Sequence, residues 1–248
     1  MSERLFEVFG ITFTVAAVYG IMSVVVLLLF MIWWLMNRKK RTGKPIFAGQ
    51  VMNGIGFGLL PALAFLKSFQ DISYGKGAAV IEPLPQVRWL CQDGCYRPMR
   101  IEAAAALFLF LLLCVWLILR REEFPDNGDL LMNAVCLWSV IRLGTEDFRL
   151  EPHIFFHYTS SATVLLCLII WTVRRAKICR MPLRTAAEMT AVAACLVLNI
   201  LTTKGILSAG SNIADFTVKM GSALLAMILT LIAGSDVRKM IQKDDQPG

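Results

Sequence analysis

Arg142, Glu146 and Arg149 are spaced i, i+4, i+7, so on a helix they share one face. They close a short apolar run that begins at Leu130, in the stretch Trp138-Ser-Val-Ile-Arg142-Leu-Gly-Thr-Glu146-Asp-Phe-Arg149. Only twelve uncharged residues separate Asp129 from Arg142, against the roughly 20 that a spanning helix needs. If this segment spans a bilayer, Arg142 lies past the midplane, about 18 Å along the axis at ~1.5 Å per residue. Ionisable groups at that depth are expensive and mark a functional site. Guanidinium forks match phosphate oxygens two at a time, so the chemistry on offer is recognition of an anionic phospholipid head. The competing reading is a buried Arg142–Glu146 ion pair that locks two helices together.

Further polar residues fall where they could join this group. Tyr96, Arg97, Arg100 and Glu102 lie just before and at the start of the preceding apolar run. With Arg149 they would make a cationic pocket at headgroup depth, with Glu146 and Glu102 as its carboxylates. Those two carboxylates are also the nearby candidates for a general base. The two histidines, His153 and His157, stand at i, i+4. No third ligand has suitable spacing, so they read as interfacial histidines and not as a metal site. No P-loop, GxGxxG, GxSxG or HExxH occurs in the sequence, and no cofactor is expected.

The elements that must position these residues follow from composition. Of 248 residues, 57% are hydrophobic and 17% charged, where a soluble domain carries about 25% charge. The mean hydropathy is +0.63. The apolar runs are continuous and not alternating, which excludes a β-barrel. The fold class is therefore an all-α polytopic membrane protein, a single membrane domain over 1–248. Seven transmembrane helices are expected at about 8–37, 46–66, 101–119, 130–149, 154–173, 185–207 and 215–234, with an outer loop at 67–100. The first run carries no charge in thirty residues, too long for a signal segment, and reads as a retained anchor. Glycines 54, 56 and 58 with Pro61 in the second run suit either close helix packing or a break.

The net charge of +7 is distributed as membrane topology, not as a nucleic-acid surface. With the N-terminus outside and the C-terminus cytoplasmic, fifteen Lys and Arg fall on the inner side and seven on the outer. Arg142, Lys204 and Lys219 remain within helices. Most cysteines sit in apolar runs and read as small buried hydrophobes. Cys91 and Cys95 share a polar loop on the oxidising side, where a disulfide or two free thiols are equally compatible with the sequence. Glu188 is placed to snorkel or to pair with the adjoining basic loop.

Residues 96–175 also carry a family likeness. Arg97-Pro-Met-Arg-Ile-Glu102-Ala, leading into Leu107-Phe-Leu-Phe-Leu-Leu-Leu, resembles the HPxQLYEA…LF segment of prolipoprotein diacylglyceryl transferases. Asn127-Gly128-Asp-Leu and the stretch from Trp138 to Arg149 are similar to that family's G-x-LF…Y-G-x-x-R-F-x-x-E-F-x-R. Tyr158-Thr-Ser-Ser161, followed by an apolar run and Arg174-Arg175, is similar to its final helix. The resemblance implies seven helices in a bacterial cytoplasmic (inner) membrane. It also implies transfer of diacylglyceryl from phosphatidylglycerol to a cysteine of a lipoprotein precursor. On it, Arg142, Glu146 and Glu102 become catalytic residues, while Arg149, Arg100, Tyr96 and Trp138 bind substrate. Trp138 stands where the family has tyrosine, and the family's H-G-G and G-R-x-G-N-F-x-N motifs have no counterpart. Two other readings stay open: a non-catalytic membrane assembly or partner protein, and a small anion transporter using Lys204, Lys219 and Arg142.

Overall fold

The computed structural model describes residues 4–8, 11–43, 45–69, 91–92, 95–96, 98–120, 128–145, 154–178 and 182–244. The long first apolar run does not become helix at once. Arg4–Val8 (β1) pairs antiparallel with Ile11–Thr14 (β2), and α1 runs Val15–Thr42. Thr14, in extended backbone, caps α1 by accepting the Ala17 N–H at 3.2 Å. At the far end Arg38–Arg41 remain helical, because cations suit the negative end of the helix dipole. Gly43, at φ +64°, closes the helix by donating its N–H to the Lys39 carbonyl at 3.0 Å.

The other helices are α2 (Ala48–Phe69), α3 (Pro98–Arg120), α4 (Asp129–Thr145), α5 (Ile154–Ile178), α6 (Pro182–Thr203) and α7 (Asn212–Asp244). A second short strand pair, Cys91–Gln92 (β3) with Cys95–Tyr96 (β4), precedes α3. Among the described residues, four helices are long and apolar enough to cross a membrane: α1, α2, α6 and α7. Only 6% of the most apolar window of α1 is buried. Leu29, Trp33 and Met36 on α1 are exposed, as are Ile118 on α3 and Leu183 on α6. Such faces require an apolar solvent, and the protein is a helical membrane protein.

Packing divides the described residues into two units, one up to 135 and one from 136 onwards. In the first unit α2 is central. Its buried face runs Gln50, Asn53, Phe57, Leu60, Ala64, Lys67, at alternating steps of three and four. A Cβ on Gly58 would come 2.6 Å from the Leu27 carbonyl oxygen, so α1 and α2 touch backbone to backbone there. Ser23 donates to the Ala62 carbonyl at 3.1 Å beside Pro61, and α2 continues through the proline unbroken. The glycines therefore serve packing. Phe30, Phe57 and Phe110 join α1, α2 and α3 with ring centroids 5.2 to 6.0 Å apart. Contacts between Lys67 and Glu102, and between Asn53 and Leu130, make successive helices alternate in direction within this unit.

In the second unit α5 buries Ser161, Val164, Leu168, Trp171 and Arg175 on one stripe. α7 meets its neighbours through small residues, Ala223, Ala226, Thr230 and Ala233, which lets helices approach closely without a hydrophobic driving force. Asn199 near the end of α6 donates to the Lys219 carbonyl at 2.9 Å, near the start of α7. The connecting turn is pinned by Asp215, which accepts from Ser208 Oγ at 3.2 Å and from the Ala209 N–H.

Candidate functional site

α4 carries Arg142, and the way α2 seats it follows from three residues. Gly128 opens the helix at φ +79°, a conformation that a side chain would strain, with Met52 packed against it. The Leu130 N–H, an orphan donor of the first turn, donates to Asn53 Oδ1 at 2.9 Å. At Gly56 an added Cβ would fall on the backbone of Leu130 and Leu131, so the two helices touch at that glycine. Leu130 is fully buried, so Asn53→Ala leaves its N–H without an acceptor and is expected to cost about 1–3 kcal/mol. The unfolding midpoint in mixed micelles measures this, and an unchanged midpoint would show that the cap contributes nothing.

α4 spans 17 residues, about 25 Å at ~1.5 Å per residue. It is buried nearly all round. Leu131, Val135, Trp138 and Arg142 are half-buried at steps of four, three and four, and form its more open stripe. Trp138 and Arg142 thus lie one turn apart on the same face. Glu146 and Arg149 lie outside the described residues, and so does the shared face expected for them with Arg142.

The residues expected from the start of α3 separate. Arg100 is exposed, whereas Glu102 is fully buried. Glu102 Oε2 sits 3.1 Å from Lys67 Nζ, and Lys67 is itself buried. Sequence reasoning counted Lys67 as an outer-loop cation and missed this pair. The signal was present, since Lys67 continues the three–four spacing of α2's buried face. Tyr96 lies on β4 opposite Cys91 in register, with Gln92 opposite Cys95. The side chains of Tyr96, Cys91 and Cys95, and hence the disulfide, lie outside the described residues.

His157, expected at an interface, is buried on α5 together with Ser160 and Ser161, while Ser139 is buried on α4. His153 lies outside the described residues. No group of three or more His, Cys, Asp or Glu that could hold a metal occurs among the described residues. Asp129, at the first position of α4, is fully buried and complements the positive end of the helix. Glu188 pairs with the basic end of α5, as one of its two readings had it: Arg175 Nη1 donates to its Oε2, and Arg184 Nε to its Oε1 at 3.1 Å. Lys204 is exposed, with its ammonium 5.4 Å from the Tyr158 ring centroid. Lys219 is half-buried.

Comparison with family models, curated proteins and solved structures finds no match. The likeness over residues 96–175 therefore rests on the motifs themselves.

Proposed function

We propose that this chain is a divergent prolipoprotein diacylglyceryl transferase-like protein of the bacterial cytoplasmic membrane that holds phosphatidylglycerol by its phosphate at Arg142. The observation that carries the reading is the half-open stripe on an otherwise buried helix, with Trp138 and Arg142 one turn apart. The forked donors of a guanidinium match a phosphate, here with Nε and Nη2 buried below the stripe, and the neighbouring indole suits the boundary between acyl chains and headgroups. All seven helices span in this reading, with the N-terminus outside. α3 and α5, at 23 and 25 residues, reach about 35 Å and 37 Å, while the short α4 leaves Arg142 close to the outer headgroups.

Arg142→Ala is expected to remove one bound phosphatidylglycerol per chain in native mass spectrometry and to leave phosphatidylcholine binding unchanged. A hydrogen bond to a charged group contributes about 1.5–3 kcal/mol, so affinity falls roughly 10- to 100-fold. Unchanged phosphatidylglycerol binding would sink the reading.

A second reading, a non-catalytic partner that keeps the lipid site, is favoured by the buried Lys67–Glu102 pair. A glutamate committed to a lysine in the protein interior has a structural role independent of catalysis. Expression in cells depleted of lipoprotein diacylglyceryl transferase separates the two. Precursor lipidation supports transfer to the lipoprotein cysteine, and no rescue by the stably inserted protein rejects transfer while leaving lipid binding to its own test.

A further inference from the structure

α5 ends on Arg174, Arg175 and Lys177, and α6 brings Arg184 and Glu188 into its first two turns. That is four cations against one carboxylate, a net charge of +3 among the described side chains of this end. The cations are used in two different ways. Arg175 is buried and, with Arg184, engages both oxygens of Glu188. That group ties α5 to α6.

Arg174 and Lys177 are i, i+3 neighbours on another part of the helix surface. The Arg174 guanidinium carbon lies 5.3 Å from the Trp171 ring centroid, a cation–π distance. Trp171 is held in place: it is fully buried, and a Cβ on Gly234 of α7 would come 2.8 Å from its ring. The platform is therefore rigid, and stacking on it restricts the planar fork of Arg174. Lys177 is exposed one turn further on, towards the end of the helix.

We propose that Arg174 and Lys177, positioned by the Trp171 platform, form a second anion site at the basic end of this unit, which takes the phosphate of an anionic phospholipid headgroup. Planar forked donors suit a phosphate's oxygens, and the lysine adds a point charge. The site rests on the chain spanning a membrane and is independent of Arg142. A diffuse basic surface would attract the same lipids without a defined position. The stacked arginine makes this one site.

The test is native mass spectrometry of the full chain, released from bilayers and titrated with phosphatidylglycerol or phosphatidylcholine. Arg174→Gln/Lys177→Gln is expected to lose one phosphatidylglycerol, with binding weakened roughly 30-fold, the equivalent of about 1 kcal/mol for each of two cations. The Arg142-dependent lipid stays bound in this variant, so the two sites fail or succeed separately. Arg174→Lys keeps the charge but loses the fork, and is expected to fall between wild type and the double variant. Wild-type binding by the double variant overturns the site. Wild-type binding by Arg174→Lys reduces it to diffuse charge and overturns the assignment to a stacked guanidinium. Displacement of the lipid by inorganic phosphate assigns the site to a soluble anion and overturns its assignment to lipid.

Discussion

Lys67→Met is expected to destabilise the first unit by about 3–5 kcal/mol, because it leaves Glu102 buried without its lysine. Glu102 is fully buried and Lys67 nearly so, with 3.1 Å between the charged atoms. Glu102 cannot be hydrated in place and Lys67 hardly can, so loss of one charge leaves the other to bear its desolvation. The double substitution Lys67→Met/Glu102→Leu removes both desolvation penalties and is expected to recover most of the loss. Denaturant unfolding in mixed micelles, followed by far-UV circular dichroism, reports both effects. If Lys67→Met leaves the midpoint unchanged, the pair is not a structural tie, and Glu102 returns as a free candidate for chemistry.

Glu188→Leu should have an effect of similar size in the second unit. Its carboxylate is shared by Arg175 and Arg184, and the Arg175 side chain is only 2% exposed. Arg175 Nη2 also approaches the Ala233 carbonyl, at 3.5 Å, so the group joins α5 and α6 to α7. Removal of the carboxylate leaves a buried guanidinium to carry the penalty, about 3–5 kcal/mol. Arg184 is different, with a side chain 51% exposed. Arg184→Gln loses an i, i+4 surface pair, and no more than about 0.5 kcal/mol is expected. Equal losses for Glu188→Leu and Arg184→Gln would show that burial of Arg175 does not control this end.

These two pairs also show where sequence reading stops. Glu188 was legible, because a carboxylate one turn beyond a basic cluster has obvious partners nearby in the chain. The order of the apolar runs puts Glu102 at the same membrane face as Arg142, and it puts Lys67 in the loop, so the spacing does not pair them. The Lys67–Glu102 contact joins residues 35 positions apart in sequence. Only the antiparallel packing of α2 on α3 brings them together. The start of α1 teaches the same lesson locally. Hydropathy ran unbroken from Val8, but the helix begins at Val15, where Thr14 supplies the cap.

What the sequence determined by itself is the class of solvent. Continuous apolar runs with little charge cannot be hydrated, so helical crossing of a membrane follows from composition, and the basic clusters follow the ends of the runs. The shortness of the apolar run ahead of Arg142 was likewise readable, from twelve uncharged residues and one arginine. Tertiary structure alone decided which face of α4 stays open and which glycine lets α2 touch it. It also decided which buried charge meets which, because a helix exposes its whole circumference to choice and only packing selects the side that is desolvated. Charge spacing along one helix is written in the chain, whereas neutralisation across helices depends on a neighbour that the spacing does not name.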